Sequence, residues 1–431
     1  MTAPKPNRDA GEIVEITIET IGARGDGIAH RNGAPLFVPF SVPGDRLRVR
    51  LGATREQGHT GAIVEVFDKG KDRADPVCRH FGICGGCALQ HLADAAYAEW
   101  KCSLVRSALA HRGFEGVAVA ELIRTPPGSR RRANLKAMRR ADETLLGFYE
   151  RGSRRIVDIV ECPVVVPEIE RFVAPLRELM LKLLRPGEQA EIDVTAFATG
   201  LDVVIAASFD AHRKTRAILA EFADAHDLAR TSWLAKDQET PETIVARRDV
   251  FLDFAGIRVA PPPAAFLQPS AEGEAALIAR VTAACKDAST LADLYSGCGT
   301  FALPLAKAAR VHAVEADAAM IAALLAAAKR AGLGNKLTAE TRDLDRRPLS
   351  AGELSRFDAV VFDPPRPGAK IQAAEIARSR VPLVVAVSCN PASFARDARA
   401  LVDGGYELKE VTPLDQFLWS PHVELVAVFR R

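Results

Sequence analysis

Three side chains in the last seventy residues could carry out covalent chemistry together. Cys389 ends the apolar run Val381-Pro-Leu-Val-Val-Ala-Val-Ser388 and is followed at once by Asn390-Pro391. A β-branched run of this kind reads as a central parallel strand, and Asn-Pro stops it sharply. In open α/β sheets ligands bind beyond the carboxyl ends of the strands, so the thiol points at a candidate site. An isolated cysteine there is, as a rule, a small apolar filler, and only its neighbours can argue otherwise. Asp363 ends the preceding strand in Val361-Phe-Asp363-Pro364-Pro365-Arg366, where two prolines make a rigid edge. Glu424 sits in the otherwise apolar Val423–Phe429, with His422 as the alternative base. A thiolate is a strong nucleophile, and a buried carboxylate has its pKa raised toward the range useful for proton abstraction.

A cofactor loop lies upstream. Leu291-Ala-Asp-Leu-Tyr-Ser-Gly297-Cys298-Gly299-Thr300-Phe301 puts two glycines at a strand–helix turn, and Glu315 ends the next strand 18 residues after Gly297. Glycines there let the backbone approach a nucleotide, and the acid can accept ribose hydroxyls. The third glycine of the dinucleotide fingerprint is absent, which favours S-adenosylmethionine over NAD. A thiol, a methyl donor and a base together suit C5 of uracil, a poor nucleophile by itself. Addition of the thiolate to C6 creates an enolate at C5 that can take the methyl group, and a base then removes the C5 proton.

Four further cysteines form a separate pattern, Cys78-x5-Cys84-Gly-Gly-Cys87 with Cys162-Pro163 downstream. Spacing alone leaves zinc and an iron–sulfur cluster both open. Cys102, Cys285 and Cys298 match no ligand position and read as packing or turn residues.

These residues need elements to hold them. The chain has 431 residues, 48% hydrophobic and 26% charged, as expected of several globular domains. Alternating short runs over 10–68 with frequent glycines predict a small OB-like β-barrel, followed by a polar linker at 68–76. Residues 75–262 read as a mixed α+β domain carrying the cysteine pattern, with a helix over about 93–113 expected to pack on the catalytic domain. From 263 to 431, strands alternate with Ala-rich helices, the rhythm of a doubly wound, Rossmann-like α/β domain. Net charge is only +2, but 124–155 holds ten Arg or Lys against three acids. Such an Arg-rich stretch suits phosphate contacts and predicts an RNA grip. The first ten residues show no signal-peptide pattern and no run is long enough to span a membrane, so a cytoplasmic location is expected.

Asp293-Leu-Tyr-Ser-Gly-Cys-Gly-Thr-Phe301, Phe266-Leu-Gln268, Asp363-Pro-Pro-Arg366, Ser388-Cys-Asn-Pro391 and His422-Val-Glu424 together resemble the RNA 5-methyluridine methyltransferase family. Order and spacing are kept over nearly the whole chain, and the barrel resembles a TRAM domain. The resemblance implies that Cys389 is the nucleophile and Glu424 the proton acceptor. It places Gln268, Tyr295, Gly297, Thr300, Glu315, Asp343 and Asp363 around S-adenosylmethionine, with Asp363 also near the target base. Phe266 would either stack on a flipped base or pack in the core. Family members with the cysteine pattern bind a 4Fe–4S cluster, which implies Cys78, Cys84, Cys87 and Cys162 as its ligands. Barrel and cluster together resemble the 23S rRNA enzymes more than the minimal tRNA enzymes, and the expected form is a monomer on structured RNA. Tyr295-Ser296 replaces the usual aromatic-Cys pair, and Thr300 replaces a variable Asn. The readings from other classes are a non-catalytic iron–sulfur RNA-binding protein and a cytosine-C5 or adenine-amino methyltransferase. Arg366 in place of an aromatic, and Asp363 in place of a second cysteine, argue against the last two.

Overall fold

Alternation of apolar and polar residues builds the N-terminal sheet. A computed structural model of the chain describes residues 11–55 and 58–431, so the stretch read above for a signal lies outside the described residues. The chain divides into two compact units: one runs up to Leu104 and adds Tyr149–Arg155 and Phe417–Pro421, and the other holds the rest.

The first unit contains the barrel strands β1 (Ile13–Thr17), β2 (Thr20–Ile21), β3 (Gly27–Arg31), β4 (Ala34–Val38), β5 (Arg46–Arg55) and β6 (Gly58–Asp68), in the order β1-β5-β6-β4-β3-β2. Ile18, Ala29, Leu36, Val38, Leu47, Val49 and Leu51 fill its core. The expected polar linker is instead an ordered strap. Fully buried Asp45 accepts hydrogen bonds from the N–H groups of Val42 and Gly70 and from the Arg73 guanidinium, while Ala74 N–H donates to the His91 carbonyl. Those donors are backbone and Arg73, so the low hydropathy of 68–76 gave no sign of them. Cys78, Cys84 and Cys87 follow in this unit, and helix α1 (Asp94–Ala110) begins in it. Tyr97 and Trp100 of α1 pack with Val42, Leu89, Leu92 and Leu418.

In the second unit, β7 (Ile123–Arg124) is a short edge strand; β8 (Arg132–Arg139), β9 (Thr144–Tyr149), β10 (Ile156–Asp158), β11 (Gln189–Phe197), β12 (Gly200–Ala207), β13 (Arg230–Ala235) and β14 (Glu242–Ala246) form one sheet in the order β10-β9-β8-β11-β12-β13-β14. Helices α2 (Pro167–Leu183) and α3 (Arg213–Ala225) accompany it, and Phe172, Leu176, Leu179 and Leu219 join its core. This is the expected α+β region.

After the hairpin β15 (Leu252–Phe254) and β16 (Ile257–Val259) and helix α4 (Ala271–Ala284) comes the C-terminal sheet. Its elements are β17 (Thr290–Leu294), α5 (Ala302–Ala306), β18 (Arg310–Glu315), α6 (Ala318–Arg330), β19 (Leu337–Thr341), α7 (Ala351–Leu354), β20 (Ala359–Phe362), α8 (Lys370–Arg378), β21 (Leu383–Ser388), α9 (Pro391–Asp403), β22 (Glu407–Asp415) and β23 (Glu424–Arg430). Strand order is β19-β18-β17-β20-β21-β23-β22-β7. The first five are parallel, whereas β23 runs antiparallel to both β21 and β22. The sheet is thus mixed, and β22 and α4 are two elements the sequence reading lacked. Pro413 inside β22 and Gly273 inside α4 are each a local argument against the element that tertiary pairing and packing impose.

Candidate active site

Cys389 stands where a strand turns into a helix. All six residues of β21 are buried, and Asn390 caps α9, its side chain accepting from the Ala392 N–H, with Pro391 in the first turn. Strand ending and helix start therefore fall on successive residues, leaving Cys389 half-buried at the carboxyl edge. The same junction holds the neighbouring loop: Asn390 Nδ2 and Ser393 Oγ both donate to the Arg366 carbonyl, at 3.1 and 3.0 Å. Ser388, the last paired residue of β21, stands opposite Leu425 of β23, so Cys389 and Glu424 are each the next residue beyond that pair.

A buried chain of polar side chains joins Glu424 to Asp363. Gln416 Nε2 donates to Glu424 Oε2 at 3.0 Å and to Gln268 Oε1 at 2.7 Å. Gln268 Nε2 donates in turn to Asp363 Oδ2 at 3.3 Å. Burial pushes the Asp363 carboxyl up to about 7 against the opposing hydrogen bond from Gln268. Burial, and then Asp363, push Glu424 up to about 8 despite the Gln416 amide. Burial, then Glu424 and Asp363, raise the Cys389 thiol to about 11, with Arg366 acting the other way. Thiol and carboxyls thus feel one another at one corner of the sheet edge. In such a group a base of intermediate strength and a latent nucleophile coexist near neutral pH.

The cofactor loop is built as expected at its turn. Tyr295 takes a positive φ of 61°, a strained conformation for a non-glycine residue, and Gly297 and Gly299 follow with 54° and 99°. A Cβ on Gly299 would lie 3.0 Å from both Leu303 and Leu324, so the loop's close packing requires glycine. Glu315 accepts from the N–H groups of Gly297, Ala316 and Asp317 at 3.0, 2.7 and 3.0 Å, which ties the end of β18 to the loop. Tyr295 OH donates to Asp345 at 3.3 Å, and Asp343 caps the same turn by accepting from the N–H of Asp345. Thr300 is half-buried beside them. Ser296 Oγ is buried with no partner among the described residues, leaving a polar atom for a ligand. Burial drives Asp293, which the sequence reading passed over, well above the usual carboxylate range.

Phe266 is 70% exposed, which removes the core-packing alternative. The Arg132 guanidinium lies 5.4 Å from its ring centroid, and Arg132 Nη1 donates to the Leu267 carbonyl at 2.8 Å. Arg131 donates to the Gln268 carbonyl at 3.0 Å and pairs with buried Glu274 at 2.6 Å. Several of the basic residues in 124–155 have partners within the chain that their charge count did not show. Arg131 and Arg132 hold the Phe266–Gln268 segment, Arg139 caps α2 at the carbonyls of Leu181 and Leu184, and Lys136, Arg151 and Arg155 pair with Glu191, Asp26 and Glu150. A charge run shows how many guanidiniums a segment has, not which are already engaged by backbone and acids.

Comparison with known proteins decides the family. The tRNA (Uracil-5-)-methyltransferase family matches residues 260–431, and the TRAM domain matches 8–64. An RNA methyltransferase of Mesorhizobium japonicum is 43% identical over 96% of this chain and 97% of its own. The 23S rRNA (uracil(1939)-C(5))-methyltransferase of Chromohalobacter salexigens is 32% identical over 98% of this chain and 90% of its own. The chain belongs to the RNA uracil-C5 methyltransferase family. The fold agrees: a crystal structure of Pyrococcus abyssi tRNA (uracil-54, C5)-methyltransferase in complex with S-adenosyl-L-homocysteine superposes with a TM-score of 0.75 at 23% identity, covering 96% of this chain and 100% of that one.

The iron–sulfur expectation for this methyltransferase is not carried by geometry. Among the described residues no group of three or more His, Cys, Asp or Glu side chains is arranged to hold a metal ion. Cys78, Cys84 and Cys87 lie in the barrel unit and Cys162 in the other. Donor chemistry still suits a thiolate-ligated group. Gly86 N–H donates to Cys84 Sγ at 3.4 Å, and the Cys84 thiol is raised by burial and by the nearness of Cys78. Cys102, Cys285 and Cys298 are buried packing residues, as expected. Gln416 was missed outright. A lone glutamine between Asp415 and Phe417 carries no motif, and only strand pairing brings it to Glu424.

Proposed function

We propose that this protein transfers a methyl group from S-adenosylmethionine to C5 of a uridine in 23S rRNA through a covalent Cys389–C6 adduct. The observation that carries the reading is the convergence of Cys389 and Asp363, just past the carboxyl ends of β21 and β20, with Glu424 at the amino end of antiparallel β23, where Glu424 and Asp363 both raise the thiol and Asp363 raises Glu424. Gln268, Tyr295, Gly297, Thr300, Glu315, Asp343 and Asp363 would line the cofactor, and the unpartnered Ser296 Oγ fits a polar ligand there. When bound, S-adenosylmethionine supplies an electrophilic methyl carbon whose bond to sulfur breaks as the new bond to C5 forms.

The remaining work belongs to the protein. Cys389 Sγ, as thiolate, adds to C6, and the electron pair of the C5=C6 bond moves to C5 and the O4 carbonyl. After methylation, Glu424 as carboxylate takes the C5 proton. That electron pair re-forms C5=C6 as the S–C6 bond breaks, and the thiolate is released. Asp363 and exposed Phe266 would engage the edge and face of the extruded base. Similarity to the C. salexigens rRNA enzyme along 98% of the chain, barrel included, favours rRNA.

Cys78, Cys84, Cys87 and Cys162 would hold a 4Fe–4S cluster, a reading that the family resemblance implies and that four thiolates, one already accepting the Gly86 N–H, allow. Anaerobically purified protein should then contain about four irons with matching labile sulfide. Zinc in their place would reject it.

Mass-spectrometric mapping of 5-methyluridine in a strain lacking the protein tests the substrate. Loss from rRNA is expected, loss from tRNA alone would move the target, and loss from neither would reject the reading. RNA carrying 5-fluorouridine should trap an adduct with the wild type and none with Cys389→Ala.

A further inference from the structure

Gln416 occupies a position that its chemistry alone makes informative. It is 3% exposed, and its single amide nitrogen bridges two groups, Glu424 Oε2 at 3.0 Å and Gln268 Oε1 at 2.7 Å. In the ionised form that takes a proton, Glu424 can only accept, and the amide group turned to it is then the nitrogen. That choice propagates. The second N–H of Gln416 meets Gln268 Oε1, which turns Gln268 Nε2 toward Asp363. One amide thereby sets the orientation of the next and the hydrogen bond that Asp363 receives.

Two further observations show that the place is built for this side chain. Gly273 in the first turn of α4 leaves room for it, since a Cβ there would lie 2.7 Å from Gln416 Oε1 and 3.0 Å from its Cβ. Glu424 Oε1, in contrast, is buried with no partner among the described residues. The two oxygens of Glu424 are therefore different: one is anchored and one is free in a dry site.

We propose that Gln416 is a positioning residue for proton removal, anchoring Glu424 through Oε2 so that Oε1 receives the C5 proton. The proposal rests on the reading of Glu424 as the base. No bond to Gln416 forms or breaks: the proton leaves C5 for Oε1, and the electron pair left behind re-forms C5=C6 as Cys389 departs. Losing Gln416 should therefore slow the second half of the reaction more than the first.

The test is a single-turnover reaction of the full chain with target RNA and S-adenosylmethionine, following the methylated protein–RNA adduct on denaturing gels and by mass spectrometry. Gln416→Met removes both N–H donors at similar volume. It should form the methylated adduct within a few-fold of the wild-type rate and release product slower by on the order of tenfold or more, the range in which a base's placement acts. Gln416→Asn keeps the amide but is one methylene too short to bridge, and should behave alike if the Met variant does not fold. Product release at the wild-type rate in a folded variant would overturn the proposal, as would an equal loss of adduct formation and release. Glu424→Gln in the same assay separates the two readings. Adduct that persists in Glu424→Gln but not in the Gln416 variants rejects only the role of Gln416. Normal release by Glu424→Gln rejects Glu424 as the base.

Discussion

Asp45 in the barrel unit and Glu424 in the catalytic unit are both carboxylates with almost no exposed surface, yet their proton affinities move in opposite directions. Burial pushes Asp45 up, but the Arg73 guanidinium and the N–H groups of Val42 and Gly70 outweigh it and hold the group below its ordinary value. Glu424 receives an amide hydrogen bond, has Asp363 nearby and, among the described residues, no cation paired with it, and rises to about 8. Burial by itself thus decides little. The number and charge of the donors decide whether a buried acid becomes a structural anchor or a base. Asp45 fastens the 68–76 strap to the barrel, whereas Glu424 is left with one free oxygen facing chemistry.

The largest expected effect tests the anchor. Asp45→Ala leaves the largely buried Arg73 guanidinium without its partner and should cost about 3–5 kcal/mol. Hydrogen exchange read by mass spectrometry should show the loss in 40–75 first. Because the folded-state pKa of Asp45 is depressed, its contribution is complete above the ordinary value of 3.8 and disappears as pH falls through the lower folded value. Wild-type protection of this segment should therefore collapse only in acid.

Glu424 should show the reverse sign. Its folded pKa of about 8 lies above the ordinary 4.5, so keeping it buried costs nothing below about 4.5 and the full amount above about 8. Glu424→Gln should stabilise the protein by about 1–3 kcal/mol at pH 9 and by almost nothing at pH 5, while abolishing turnover. Urea unfolding at the two pH values measures it. An equal gain at both would mean that the carboxylate is not the cause.

The smallest effect sharpens the contrast with exposed pairs. Arg48 meets Glu65 at 2.8 Å and Glu15 at 3.4 Å on the barrel surface, all three at least 40% exposed. Arg48→Ala should change stability by less than about 1 kcal/mol, and the difference should vanish in high salt.

Much of the catalytic edge was legible in one dimension, because its chemistry sits where local rules act. Asn390-Pro391 ends a strand and starts a helix in any context, so Cys389 could be placed at the carboxyl edge without coordinates. Tyr295 to Gly299 likewise announces a strand–helix turn, and the positive φ values there agree. Less could be read where partners are distant along the chain. The intrachain partners of Arg131 and Arg132 lie 135–143 residues away, around Leu267, Gln268 and Glu274, and no local pattern showed them. The strap at 68–76 looked like a linker because Asp45, its anchor, is 28 residues from Arg73.

Residue types and spacing by themselves pointed to the reaction class and the family and singled out Cys389, Asp363 and Glu424 as candidates, because strand ends, turns and nucleophiles obey short-range chemistry. Only the tertiary structure decided that antiparallel β23 brings Glu424 near Cys389 at the end of β21, that Phe266 is exposed, and that Gln416 bonds to Glu424. Those facts depend on pairing between segments far apart in the chain, and burial and donor count at one point in space cannot be read from a residue's neighbours along the backbone.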